Sequence, residues 1–153
     1  MTVDSIDVKI LNVLQTNARA SISELSKVCG LSLSAVSERL KKLEASGVID
    51  RYTAILNPEA MGKELTAIVM VQVTGYNGGQ ETLDFIANEP EILSCCKITG
   101  VYDYVLVVTT HNTSSLEAFM NRLRSNPCYK ASETNIVLNT FKHLYSVEPV
   151  ANK

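Results

Sequence analysis

Residues 32–52 read SLSAVSERLKKLEASGVIDRY, and the reading of this stretch decides the architecture of the chain. With Val36 as the reference on a helical wheel, Leu33, Leu40 and Leu43 fall beside it at offsets −3, +4 and +7, so one face is apolar and turned to a core. The opposite face carries Ser34, Ser37, Glu38, Lys41 and Lys42. Short hydrogen-bonding groups at a helix start, with cations further along, suit a groove lined with phosphates. Ser32 is placed to cap the first turn, and Gly47 to end the helix in a left-handed conformation. Taken alone, the window equally fits a solvated amphipathic helix on a small core, because spacing fixes the buried face and leaves the exposed one undecided.

The upstream residues decide it. Asp4 to Thr16 reads as a first helix, with Asp4 as N-cap and Ile6, Ile10, Leu11, Val13 and Leu14 as its apolar stripe. Ser21 opens a second helix through a capping box with Glu24, and Ile22, Leu25 and Val28 face inward until Gly30 stops it. Leu31 then leads across a short glycine turn into the Ser32 helix. Three compact helices with such a turn before a polar-faced, partly basic third helix form a helix-turn-helix, which presents that third helix to a DNA major groove. Double-stranded DNA is the expected partner. Val48 to Leu56 is rich in β-formers and is expected as a strand, either a wing or the way out of the module, until Asn57 and Pro58 break it.

The segment NPEAMGKEL, punctuated by Pro58 and Gly62, sets the expected boundary: residues 1–62 form the helix-turn-helix domain with its connecting strand and linker, and residues 63–153 a second domain. In the second domain Leu65 to Val73 reads as a buried strand, GYNGGQ as a loop, Glu81 to Ala87 as a short helix and Ile92 to Thr99 as a strand. Gly100 to Asp103 makes a tight connection to a strand at Tyr104 to Thr110. A helix from Ser114 to Arg124, with a Ser114/Glu117 capping box and a stripe of Leu116, Phe119, Met120 and Leu123, precedes a closing strand at Ala131 to Phe141. The order β-α-β-β-α-β is the split-βαβ, ferredoxin-like arrangement, so the chain is expected to be α+β: a winged helix-turn-helix followed by a ferredoxin-like βαββαβ domain. Two helices cover one sheet face. The aliphatic density of the strands implies that the other face is buried too, by a second subunit, which makes a homodimer the minimum assembly.

Composition bounds the function classes. The chain has 153 residues, of which 46% are hydrophobic, and no apolar run approaches the roughly 18 residues of a membrane span. The start, MTVDSIDVK, lacks the basic and apolar regions of a secretory leader, so a cytoplasmic location without membrane contact is expected. Cys29, Cys95, Cys96 and Cys128 have no paired CxxC spacing and no nearby histidine, which points to apolar fillers and to no metal, disulfide or cofactor. Cys95 and Cys96 would face opposite sides of a strand. The net charge of −2 excludes binding of nucleic acid through overall charge. The local patch of Arg39, Lys41, Lys42 and Arg51, set against Glu38, Glu44 and Asp50, implies that affinity comes from several copies acting together.

Laid out in this order, IDVKILNVLQTNARAS, SELSKVCGLSLSAVSERLKKLEASGVI, YTAILNPEAMG, ITGVYDYVLVV and SETNIVLNTFK resemble the Lrp/AsnC (leucine-responsive/asparagine-type, feast/famine) family of transcription regulators over nearly the whole chain. The resemblance implies a second domain of the regulatory (RAM) type. Such a domain dimerises, assembles dimers into rings, commonly octamers, and binds a small effector, often an amino acid, between subunits. It implies DNA contacts around the Ser32 helix: Ser34, Ser37, Glu38 and Lys42 toward the groove, Lys41 toward a phosphate, and Ser32 and Arg51 at its margins. Arg39 flanks the core face, so an ion pair within the domain and a phosphate contact both stay open, and Glu38 either accepts from a cytosine amino group or repels phosphates to enforce register. The implied effector pocket comprises Thr99, Gly100, Val101, Tyr102, Asp103 and Tyr104 with Lys130, Glu133 and Thr134, where glycine-turn N–H groups take a carboxylate and Asp103 or Glu133 an ammonium. Gly100 to Asp103 also fits a plain hairpin turn, with Tyr102 and Tyr104 as packing aromatics. Two other functions remain in view: a ligand-independent protein that compacts DNA, and an enzyme resembling tetrapyrrole decarboxylases. The second lacks any acid, base or nucleophile constellation, since His111 and His143 sit in no motif, and the chain is read as a non-enzyme.

Overall fold

The computed structural model describes residues 2–75 and 78–152, so Tyr76 and Asn77 of the GYNGGQ segment lie outside the described residues. The chain forms two compact units, Met1–Ile55 together with Lys142–Lys153, and Leu56–Phe141.

In the first unit, α1 (Ser5–Thr16), α2 (Ile22–Cys29) and α3 (Leu33–Ala45) enclose Ile10, Leu25, Val36 and Leu43, all fully buried. Each helix starts where its cap dictates. Asp4 accepts from the Ile6 and Asp7 N–H groups at 2.8 and 2.9 Å while Asp7 accepts from the Asp4 N–H at 3.1 Å. Ser21 and Glu24 satisfy each other's backbone N–H in the same way, and the Ser32 hydroxyl accepts from the Ala35 N–H. Gly30, at φ +66°, turns the chain between α2 and α3 in a conformation that side-chain-bearing residues rarely adopt.

Four expectations for this part of the chain are corrected, the first being Val28, which the sequence places inward but which is 51% exposed near the end of α2. Leu33 is 56% exposed, although the wheel assigns it to the core face. It is the first residue of α3, and a wheel reports azimuth without reporting where along its axis a helix leaves its core. Residues 48–56 form no strand, because no described strand lies beside them to exchange ladder hydrogen bonds. Tyr52 holds this segment to the end of α3 by donating to Glu44 at 3.1 Å; burial first, and then this hydrogen bond, push its pKa up to about 12, so the phenol stays a donor. Finally, residues 142–152, assigned from sequence to the second domain, belong to the first unit. Gln15 donates to the Ser146 hydroxyl and the Val147 carbonyl, and Val3 and Asn152 exchange hydrogen bonds.

The second unit has β1 (Leu65–Val73), α4 (Gly79–Asn88), β2 (Ile92–Lys97), β3 (Tyr104–Thr110), α5 (Thr113–Arg124) and β4 (Tyr129–Ile136), preceded by a 3-10 turn at Glu59–Met61. The sheet order is β2-β3-β1-β4, antiparallel throughout, which is the ferredoxin-like arrangement. Ala67, Val69 and Val71 of β1 and Leu106 and Val108 of β3 pack under Leu116, Phe119, Met120 and Leu123 of α5. The alternate residues Ile68, Met70, Val105 and Val107 line the other face, where Ile68 pairs with Val107 and Met70 with Val105. Cys95 packs against the helix-side core, whereas Cys96, in register with Val105, is exposed and fills no cavity.

Helix α5 is capped by Asn112 with Ser115, not by Ser114 with Glu117, because Thr113 already adopts helical geometry. Strand β4 stops short of Phe141. Ala67 pairs with Ile136 and β1 begins at Leu65, so the ladder has no partner to continue with, and Leu138 and Phe141 are 95% and 94% exposed. Arg122 joins α5 to the start of β2 by a bidentate pair with Glu89, at 2.9 and 3.0 Å, and by a contact with Glu91. Among the described residues no helix is long and apolar enough to cross a membrane.

Candidate nucleic-acid interface and effector site

Helix α3 is held by its buried face, Val36 and Leu43, and by one polar clamp. Arg39 Nη1 donates to Asp4 Oδ2 at 2.7 Å and to Asp7 Oδ1 at 2.8 Å. Asp7 is only 2% exposed, so the guanidinium answers a carboxylate taken out of water. The Arg39 pKa rises through the hydrogen bonds to Asp7 and then Asp4, and the Asp4 pKa falls through the Asp7 N–H first and Arg39 next. Of the two roles left open for Arg39, the structure takes the ion pair within the domain.

The remaining residues of the expected interface fall into two groups. Ser34, Glu38, Lys41 and Lys42 are exposed on α3, with Ser37 half-buried beside them. Glu38 and Lys41 face each other at 3.7 Å, a loose surface pair that water and salt weaken. The Ser32 hydroxyl is engaged as a cap and lies 3.1 Å from that of Ser34. Arg51, on the irregular segment after α3, pairs at 2.6 Å with its neighbour Asp50, both side chains being largely exposed. Leu33 joins the exposed first turn of α3, and the wheel gave no sign of it because it counts only angle.

The nine residues of the expected effector pocket separate within one chain. Gly100 has φ +119° and open space where a Cβ would stand, beside exposed Thr99 and Val101. Tyr102 reaches across to β4 and donates to Glu133 Oε2 at 3.1 Å, and this bond is the main cause of its raised pKa. Asp103 is drawn into the sheet: its Oδ2 accepts from the Val73 N–H at 2.9 Å, its own N–H donates to the Val71 carbonyl, and its carbonyl accepts from Ile98. That carboxylate braces the end of β1. Tyr104 is buried in the core beneath the helices, and Thr134 points to the same side, with its hydroxyl 3.6 Å from the Met120 sulfur. Alternation along β3 and β4 sends both to the side of the sheet away from Glu133. Lys130 sits at the β4 irregularity opposite Gln72 and Val73 and is exposed. The corner that remains is Thr99 to Tyr102 with Glu133, and Lys130 on the same strand.

His111 lies 2.5 Å from the Gly62 carbonyl through Nδ1, and His143 stacks on Tyr145, so each has a structural contact. Among the described residues no group of three or more His, Cys, Asp or Glu side chains is placed to hold a metal ion.

Two family models match this chain: a winged helix-turn-helix DNA-binding domain over residues 3–50 and an Lrp/AsnC ligand binding domain over residues 66–147. An HTH-type transcriptional regulator FL11 of Pyrococcus horikoshii is 39% identical over 91% of each chain. The crystal structure of the transcriptional regulator NMB0573 of Neisseria meningitidis in complex with L-Met superposes with a TM-score of 0.91 at 33% identity, covering 95% of this chain and 96% of that one. The feast or famine regulatory protein Rv3291c of M. tuberculosis, complexed with L-methionine, superposes with a TM-score of 0.86 at 33% identity, over 96% and 99% of the two chains.

Proposed function

Because the chain belongs to the Lrp/AsnC family of transcription regulators, we propose that its first unit reads an operator through α3 while its second unit binds an amino acid and assembles the chain into dimers and larger rings. The observation that carries the DNA half is α3 itself, fixed by Val36, Leu43 and the Arg39 clamp with Ser34, Glu38, Lys41 and Lys42 left exposed. A rigidly held helix that offers hydroxyls and ammonium groups is what groove recognition requires. Gel-shift titrations on duplex DNA from upstream of the chain's own gene test it. Lys42→Ala is expected to weaken binding and to lower the salt slope by about one per subunit, and Ser37→Ala to weaken the preferred sequence more than unrelated DNA. Unchanged specific binding by both variants would place the reader elsewhere.

The effector half is supported by the open Gly100 corner and by the L-methionine complexes of two relatives. Loop N–H groups and Lys130 suit an α-carboxylate, and Glu133 suits an α-ammonium once Tyr102 yields it. Ligand binding then alters assembly or the spacing of paired α3 helices, with a coupling free energy of ~1–3 kcal/mol. A thermal-shift series over the common amino acids, L-methionine included, is expected to find at least one that raises the melting temperature by several degrees at about 100 times its Kd. A flat response to all of them would leave the ligand-independent, DNA-compacting reading in its place. The dimer is supported by the aliphatic sheet face of Ile68, Met70, Val105 and Val107, which no described element of the chain covers.

A further inference from the structure

Direct readout of bases rests mainly on a few side-chain types: arginine or lysine on guanine, asparagine or glutamine on adenine, glutamate or aspartate on cytosine, and apolar groups on the thymine methyl. Helix α3, LSAVSERLKKLEA, contains no asparagine or glutamine. Its single arginine is consumed by Asp4 and Asp7. Ser32 spends its hydroxyl on the Ala35 N–H with Ser34 beside it, and Glu38 faces Lys41. Helix α3 therefore offers a purine no free arginine and no amide, its Lys41 and Lys42 lie more than two turns along the helix, and the largest side chain its first turn offers is an apolar one, Leu33, 56% exposed.

A single exposed leucine on a protein surface is ordinary and needs no explanation. Its place here is different. It is the first residue of α3, and the N-terminal residues of a recognition helix are the ones that reach base edges. Ser37 stands one turn further on the same side, so the two present a small apolar and polar pair along the helix. We infer that Leu33 is a specificity-determining residue that packs against the 5-methyl group of a thymine in each operator half-site. The inference rests on the DNA-binding reading of α3. It assigns the chain's sequence preference in part to dispersion and water exclusion at a methyl group, with the lysines supplying affinity that is indifferent to sequence.

Deoxyuridine differs from thymidine only by that methyl, so it isolates the contact. Duplexes selected from a random-sequence pool by the wild-type chain give the preferred site, and each dT in it is then replaced singly by dU. At one position per half-site the replacement is expected to weaken wild-type binding about fourfold, the value of one buried methyl group. Leu33→Ala should bind the selected site more weakly by at least that factor, bind unrelated DNA as the wild type does, and lose its sensitivity to dU at that position alone. Leu33→Met, which keeps an apolar chain of similar reach, should retain the sensitivity. Helical circular dichroism and melting of both variants should match the wild type, because Leu33 contributes little to the core. If Leu33→Ala keeps the full dU effect at every position, or loses affinity equally for all DNA, the assignment is overturned while the selected site still stands as proof of sequence-specific binding. If the pool yields no preferred site, sequence-specific reading by α3 fails, and this inference fails with it.

Discussion

Replacing Arg39 by Ala is expected to destabilise the first unit by about 2–3 kcal/mol and to lower its melting temperature by roughly 10 °C or more. The cause is the partner left behind. Asp7 is 2% exposed, and without the guanidinium at 2.8 Å its carboxylate keeps only the Asp4 N–H among the hydrogen bonds found for it, too little to replace the water it gave up. The expected cost lies at the lower end of what breaking a buried pair produces, because Arg39 is itself 30% exposed and water can enter the gap. Asp7→Asn in the Arg39→Ala background should recover part of the loss by removing the buried charge while keeping an acceptor for the cap. Far-UV circular dichroism melts of the wild type, the single variant and the double variant measure this directly. A double variant no more stable than Arg39→Ala would show that the charge is not the cause.

The same variants separate a clamp from a phosphate contact. A clamp leaves the salt slope of DNA binding unchanged, whereas a lost phosphate contact reduces it by about one per subunit. Acid provides a further check. The Asp4 carboxyl is held below its ordinary value of 3.8, chiefly by the Asp7 N–H and then by Arg39, so its folded pKa lies under its unfolded one. Its contribution is full above pH 3.8 and is lost as the pH falls through the lower folded value, so the difference between the wild type and Arg39→Ala should shrink there.

The legible parts of this fold were those carried by short-range signals. Asp4, Ser21 and Ser32 each start a helix within a residue of where their capping chemistry puts it, and Gly30 supplies the turn. Aliphatic β-branched runs marked β1 and β3 to the residue. What was not legible depended on neighbours distant in sequence. The β-rich segment 48–56 carries strand propensity without a strand beside it, and β4 stops because β1, its partner far away in sequence, begins at Leu65, two residues before the Ala67 that faces Ile136. The return of residues 142–152 to α1 depends on Gln15 and Val3 finding Ser146, Val147 and Asn152, a match no local pattern encodes. In the candidate site, the start of α3 is legible from its Ser32 cap, but how far along its axis the core contact extends is not, so a wheel places Leu33 in a core that its first turn does not reach. Strand alternation then divided the effector residues: Glu133 and Thr134 are adjacent in sequence and necessarily on opposite sides of the sheet.

If the proposed dimer closes through the sheet face of Ile68, Met70, Val105 and Val107, Val107→Asp is expected to convert it into monomers and to reduce operator affinity by at least ~100-fold. Val107 lies on the sheet face away from α5, in register with Ile68 on one side and Ser94 on the other. A carboxylate there meets water in a lone chain, so each protomer should still fold, with helical and strand dichroism intact. In a dimer closed by this face the same carboxylate is buried without a partner, once in each protomer, at a cost of several kcal/mol each, enough to raise the dimer dissociation constant by more than ~1000-fold. DNA binding falls with it for a reason already visible in the charge. At a net charge of −2, with Arg39 consumed by Asp4 and Asp7 and Arg51 paired with Asp50, one copy of α3 has Lys41 and Lys42 as its cations for phosphate, and Lys41 stands near Glu38. Two copies held at fixed spacing convert the second half-site contact into an intramolecular one, and separating them forfeits that effective concentration. Light scattering after size exclusion, read beside a gel shift on the same DNA, gives both results from one preparation. Val107→Ile, which keeps the face apolar, should remain assembled and bind as the wild type does. If Val107→Asp stays fully assembled, the interface lies elsewhere on the chain, and the exposed Leu138 and Phe141 beyond β4 become the next apolar surface to substitute.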